Sequence, residues 1–255
     1  MKVTLLNFTP APEKTIVLAA KLCYSDSNIS QLEEKVQGVS YEKFLTKILK
    51  MGHLSVLEHA SFTFGIEGIS RATSHQLVRH RLASYSQQSQ RYVKFKEPEF
   101  VTPSSIHKNE GVEKRFSEAV ESLYKFYSDM LEAGIPAEDA RYILPNAATT
   151  KIIVTMNARE LLHFFRQRCC YRAQWEIKDM AVQMLFIVKT VAPIIFEKAG
   201  PACVNEPCPE GEMYCGRARD IKRIYGRYVK RKKGGMKKDN AKSKVLISQK
   251  KLFQE

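Results

Sequence analysis

Arg79, His80 and Arg81 stand in a row, and Arg91 follows after Ser84, Ser86, Gln87, Gln88, Ser89 and Gln90. Guanidinium forks match phosphate oxygens in pairs. Hydroxyls and amides hydrogen-bond a polar ring or a ribose. Almost nothing in the run serves as hydrophobic filler. A charge run is ordinarily a solvated loop. This one lacks Gly and Pro, and hydrogen-bonding residues separate its arginines. Nucleotide binding is the chemistry such a run suits.

Three other stretches carry reactive or cationic groups. His53, Ser55, Glu58 and His59 fall within eight positions, from Gly52 to His59. His53 and Ser55 suit a cleft, and His59 suits a hydrogen-bonded core site. The spacing is not His-Glu-x-x-His, so it gives no metal motif. Arg168 follows Leu161, Phe164 and Phe165 at i, i+3, i+4 and i+7, which sets a guanidinium on an apolar helix face. There it must be paired, reach for the helix end, or meet a ligand. Cys203, Cys208 and Cys215 lie in a Pro/Gly-rich loop without the close Cys-x-x-Cys pair of most zinc sites. Cys169 and Cys170 could add a fourth ligand in space. Reduced thiols are the reading adopted, with no metal assigned.

From Arg79 to Arg91 the pattern Arg-His-Arg-x-x-Ser-x-x-x-x-Ser-x-Arg resembles the signature of the flavin-dependent thymidylate synthases. The resemblance spans residues 1 to about 199. It includes the segment from Gly52 to His59, Arg141 before Leu144-Pro145, Asn157 with Arg159 and His163, and the run from Ala173 to Ile177. It implies a reductive methylation of dUMP to dTMP. Methylenetetrahydrofolate is the one-carbon donor, FAD the cofactor and NADPH its reductant. It implies that dUMP contacts Gln76, Arg79, Gln87, Gln88, Ser89, Gln90, Arg91 and Arg168, with Arg141 supplied by a neighbouring subunit. It places FAD against Ser55, Glu58, Arg79, His80, Arg81, Asn157, Arg159 and His163, and gives His53 and Arg168 roles close to the chemistry. A homotetramer with shared active sites is part of the same implication. Gln87 departs from the pattern, standing where some members carry Glu.

The residues also bear on how C5 of a uracil could be made nucleophilic. A thiolate at C6 is one route, but no cysteine sits in the polar run or beside an evident base. Ser89, between arginines, suits an anchor better than a nucleophile. A reduced flavin removes the need for an enzyme nucleophile and leaves the protein to position and stabilise charge.

Several elements must hold these groups. Positions 2–8 read as a strand closed by Pro10 and Pro12, and 13–24 as a helix. Asn28 or Ser30 caps a short helix to Val36, and Ser40 caps the next, which Gly52 stops. Alternation over 60–67 gives a strand, and Gly68 turns it into a helix over 70–80. On that helix Arg71, His75 and Arg79 share a face. Positions 92–101 read as a strand, 109–131 as a core-packing helix, and 137–142 as a short helix in which Glu138 and Arg141 pair. A buried strand over 149–156 precedes the helix capped by Asn157 or Thr155 and ending near Arg168. A last long helix covers 175–196.

The 255 residues suffice for a sizeable core, and 44% of them are hydrophobic. The net charge of +14 is uneven. Residues 217–255 hold 15 Lys and Arg against 3 Asp and Glu, a surplus of 12, which leaves about +2 for the rest. A nucleic-acid binder would spread that charge over its body, so contact with nucleic acid is at most non-specific and through the tail. A zinc-organised interaction protein would explain the late cysteines but not the helix arginines. No secretory signal or membrane span is evident, and the cytoplasm is the expected compartment. The expected fold is α+β, a small mostly antiparallel sheet packed with long helices. The catalytic domain is 1–199, the Cys/Pro/Gly-rich loop 200–216 and a flexible basic tail 217–255.

Overall fold

The computed structural model describes residues 1–232 apart from 39 and 96, with backbone alone over 226–232. β1 (Lys2–Phe8) precedes three helices, α1 (Pro12–Leu22), α2 (Ile29–Val36) and α3 (Glu42–Lys50). A 3-10 turn at Ser55–His59 leads into β2 (Ser61–Ser70), which passes directly into α4 (Arg71–Leu77). β3 (Ala83–Gln87), α5 (Ser104–His107), α6 (Glu110–Glu132) and α7 (Ala137–Ala140) follow. β4 (Thr149–Asn157), α8 (Ala158–Arg168), α9 (Trp175–Val191) and α10 (Ala218–Lys232) complete the order.

The strands form one antiparallel sheet in the order β1-β2-β4-β3. Period-two alternation explains why it has one dry face. Phe62, Phe64 and Ile66 of β2 stand opposite Met156, Val154 and Ile152 of β4, and all six are buried. Leu161, Phe164 and Phe165 of α8 and Met180, Met184, Leu185 and Val188 of α9 join them in one core. Each full burial of such a side chain stabilises by roughly 2 kcal/mol. On the other face Thr63 and Thr155 share a hydroxyl hydrogen bond of 2.9 Å, while Ile153 and Leu6 are exposed. This is the α+β architecture expected. Among the described residues no helix is long and apolar enough to cross a membrane.

The caps fall largely where the residue types put them. Asn28 makes a reciprocal capping box with Gln31, and Asn157 accepts the Glu160 N–H. Gly52 ends α3 at φ +73°, a conformation that only glycine adopts freely. Ser40 caps nothing: α3 begins at Glu42 without a side-chain cap.

Elsewhere tertiary partners displace the boundaries. Gly68 does not end its strand. It sits at φ +69° in a β-bulge, and β2 continues to Ser70. α4 stops at Leu77, so Arg79 lies beyond it rather than on its face. The Tyr85 hydroxyl reaches the Leu77 and His80 carbonyls at 2.9 and 2.8 Å and takes up the helix end. Part of the polar run is itself the edge strand β3, half-buried on alternate residues. The described residues of 92–101 contain no strand, only an isolated bridge from Phe100 to Ala148. Pro98 has no N–H to continue a ladder. α6 buries Val120, Tyr124 and Tyr127 and leaves Phe126 exposed. α9 ends at Val191 because Pro193 forces the preceding residue out of helical geometry. The basic segment departs from a flexible tail in its first part: α10 inserts Ile221 and Tyr225 into the main core. The rest of that segment, 233–255, lies outside the described residues.

Candidate active site

Two helices set the site. α4 is fixed at its start by Glu176 of α9. The Glu176 carboxylate accepts from the Ser70 N–H at 2.7 Å, the Ser70 hydroxyl at 2.5 Å and the Thr73 hydroxyl at 2.7 Å. Ser70 in turn caps the Thr73 N–H. A carboxylate is favoured at a helix N-terminus, and here three donors offset its burial. The far end of α4 therefore has a fixed place, and Arg79, His80 and Arg81 emerge from it. α8 starts at its Asn157 cap and carries Arg159, His163 and Arg168 along the same wall.

Arg168 is held from within the chain. Its Nε donates to His80 Nε2 at 3.0 Å and its Nη2 to the Gln76 carbonyl at 3.4 Å. His80 Nδ1 lies 3.2 Å from Glu160 Oε1, and both residues are buried. The His80 ring meets Phe164 edge-on at 4.9 Å. Burial, then Arg168, then His163 push the His80 pKa down to about 4. The imidazole is neutral near pH 7, so its contact with Glu160 is a hydrogen bond rather than an ion pair. Burial raises the Glu160 pKa, with His163 opposing. Burial and then Arg79 lower that of Arg168, which reflects two guanidinium groups facing one space.

That space is a cleft of about 1090 Å³. Arg79, His80, Arg81, Arg159, His163 and Arg168 line it, together with the segment around residues 194–206. A second cavity of about 360 Å³ holds His53 and Ser55, and Arg159 borders both. Arg159 Nη1 pairs with Glu58 at 2.5 Å, which ties the 3-10 turn to α8. Thus His53, Ser55, Glu58, Arg159 and His163, far apart in sequence, adjoin the arginine wall.

The remaining candidates lie off the cleft. Gln87 Nε2 donates to Ser74 Oγ at 3.0 Å and Thr150 Oγ1 at 3.1 Å. The Gln76 side chain bonds the Ala72 carbonyl. Arg91 grips Glu138 Oε2 through Nε and Nη2 at 3.0 and 2.8 Å. Arg141 Nε bonds the Glu138 carbonyl at 3.0 Å, so the Glu138 carboxylate pairs with Arg91 and not with Arg141 as expected. Gln88, Ser89 and Gln90 line neither cavity. One chain therefore holds two cationic patches, the arginine cleft and the pair of arginines at Glu138.

Sequence reasoning missed Glu160 and Glu176. Glu160 sits three positions after a cap residue, where a carboxylate reads as ordinary helix-end chemistry. Only the tertiary fold brings His80 to it. Glu176 lay in a run noted for its resemblance but carried no assigned part.

Every cysteine is a free thiol. Cys170 and Cys203 have pKa values raised, chiefly by burial, and both also by Cys208 and Cys215. Burial pushes the Cys169 thiol up to about 12. Among the described residues no three His, Cys, Asp or Glu side chains group as a metal would require.

The cleft suits a large anionic cofactor. Its volume is at the upper end of small-molecule sites, and its wall offers guanidinium forks of the kind that bind diphosphates. Comparison with known proteins agrees. The family model described as thymidylate synthase complementing protein matches residues 4–194. A flavin-dependent thymidylate synthase of Geobacter sulfurreducens is 58% identical over 88% of this chain and 98% of its own. The enzyme of the same name from Clostridium tetani is 49% identical over 88% of this chain and 97% of its own. That from Pyrococcus abyssi is 46% identical over 84% and 91%. With most of its length matched in each comparison, the chain belongs to the thymidylate synthase complementing protein family, that of the flavin-dependent thymidylate synthases.

Proposed function

We propose that this chain is a flavin-dependent thymidylate synthase that methylates dUMP reductively, with methylenetetrahydrofolate as carbon donor and NADPH as reductant. The observation that carries the reading is the convergence of Arg79 and Arg168 on one cleft, with His80 holding Arg168 there. Arg79, Arg81 and Arg159, with His163, are the groups that would hold FAD. Bound there, the flavin supplies the reducing electrons. Arg168 faces the uracil edge and stabilises negative charge that develops on the ring. Burial raises the thiol pKa values of Cys169, Cys170 and Cys203, which supports a route without an enzyme nucleophile.

We read Arg91 and Arg141 as phosphate ligands for the cleft of a neighbouring subunit in a homotetramer. The support is that neither lines the cleft of its own chain, while both bond Glu138, Arg91 at the exposed carboxylate and Arg141 at the backbone carbonyl. His53, in the adjoining cavity, then lies toward the flavin and the folate.

The purified protein is expected to be yellow with flavin absorbance, and dUMP should perturb that spectrum. A colourless protein that neither takes up FAD nor binds dUMP would remove the reading.

A further inference from the structure

Glu160 is buried, 80 positions from His80 in the chain, and no role follows for it from the signature. Its partner's chemistry gives it one. The guanidinium of Arg168 has hydrogens to give and no lone pair to receive. His80 Nε2, at 3.0 Å from Arg168 Nε, must therefore be the acceptor. A neutral imidazole that accepts at Nε2 carries its proton on Nδ1. That N–H points to Glu160 Oε1 at 3.2 Å. The hydrogen bonds run in one direction, from Arg168 to His80 to Glu160. In the other tautomer an N–H of His80 would face an N–H of Arg168, and the carboxylate would lose its donor.

We propose that Glu160 is a positioning residue for nucleotide binding: it selects the Nδ1–H tautomer of His80 and thereby fixes Arg168 in the cleft. The parts around it are held firmly. Asn157 Oδ1 accepts the Glu160 backbone N–H at 2.9 Å, which sets the carboxylate in the first turn of α8. Tyr85 pins the His80 carbonyl, and Phe164 packs on the ring. Glu160 is thus the acceptor that holds His80 in the Nδ1–H tautomer that Arg168 requires. The inference rests on the reading that Arg168 meets the nucleotide.

Two variants of the flavin-loaded enzyme test it. Glu160→Gln keeps a carbonyl acceptor for Nδ1–H, and Glu160→Leu keeps none. Histidine 15N spectra report the protonated ring nitrogen of His80, with the signal assigned through His80→Gln. Titration with dUMP, followed by flavin absorbance, reports nucleotide affinity. The native enzyme and Glu160→Gln should show the Nδ1–H tautomer and similar affinity. Glu160→Leu should lose that tautomer and weaken dUMP about tenfold or more with FAD retained, as outer partners of a binding residue commonly do. A native His80 protonated on Nε2 overturns the proposal, whether or not Glu160→Leu folds. So does a Glu160→Leu enzyme with unchanged tautomer and affinity. If the tautomer follows Glu160 but neither Glu160→Leu nor Arg168→Lys alters dUMP binding, the assignment of Arg168 to the nucleotide is what fails, and the proposal falls with it.

Discussion

Arg168 Nε donates to His80 Nε2 at 3.0 Å across 88 positions of sequence. The contact joins the C-terminal end of α8 to the turn after α4. It requires an unprotonated imidazole, because a second N–H at Nε2 would point at the guanidinium. Both residues belong to segments that the sequence singles out, but their contact with each other is a product of the fold.

Stability should therefore fall in mild acid. The His80 pKa is lowered from 6.5 to about 4, first by burial, then by Arg168 and His163. The unfolded chain takes up the proton near pH 6.5 and the folded chain does not. Stability from this group is complete above pH 6.5 and is lost as pH falls towards 4, by at most about 3 kcal/mol. Glu160 and Arg168 face the ring from α8, and Tyr85 bonds its backbone from β3. Urea midpoints measured across that interval should drop in the native protein. His80→Gln keeps an acceptor for Arg168 without titrating, so its profile should be flatter. Equal slopes would show that His80 is not held neutral.

The Glu176 clamp should matter to both stability and geometry. Glu176→Ala strands three buried donors, on Ser70 and Thr73, at the start of α4. Loss of a charged acceptor of this kind costs about 3 kcal/mol or more. Denaturant unfolding measures the loss. Because α4 aims Arg79 into the cleft, flavin retention should weaken even at temperatures where the variant is fully folded. A variant as stable as the native chain would mean that water replaces the carboxylate.

The sheet, the caps and most helices were legible because they rest on local rules. Alternation in β2 and β4 marks a one-sided strand wherever it occurs. Asn28, Asn157 and Gly52 act within a few residues of themselves. Failures came where distant groups decide. The end of α4 is set by Tyr85 from the next strand, and α10 looked like a solvated tail because its buried anchors Ile221 and Tyr225 stand among many basic residues. For the site, the arginine wall could be read from residue types. Glu160 could not, since its partner His80 is brought to it only by tertiary contact. The split between the cleft and the Glu138 patch also has no signature in spacing.

That split gives a prediction for Arg91. Its pair with Glu138 is exposed on both sides, and exposed pairs contribute little to stability. Glu138→Ala should leave the thermal midpoint unchanged. It also releases Arg91, so dUMP binding should hold or tighten. Arg91→Ala should instead weaken dUMP while FAD stays bound. Calorimetric titration with dUMP separates the cases. If both variants weaken binding equally, the ion pair itself, and not a free guanidinium, is what the nucleotide needs.

The thiols give the last test, and it bears on how the ring is activated. A cysteine that attacks a uracil must be a thiolate near neutral pH and must reach the substrate. Cys169 fails on both counts, being fully buried with its pKa raised to about 12. Cys170 and Cys203 are also shifted upward by burial. Cys23 is exposed, and it lines the smaller cavity with His53 rather than the larger cleft that holds Arg79 and Arg168. Treatment of the folded enzyme with iodoacetamide at neutral pH should therefore label Cys23 readily and spare Cys169 until denaturant is added. Peptide mapping locates the label. Cys23→Ser and Cys169→Ala should both retain dTMP formation. Loss of turnover in either, with FAD and dUMP still bound, would place a covalent thiol step back in the mechanism and remove the assignment of charge stabilisation to Arg168 alone.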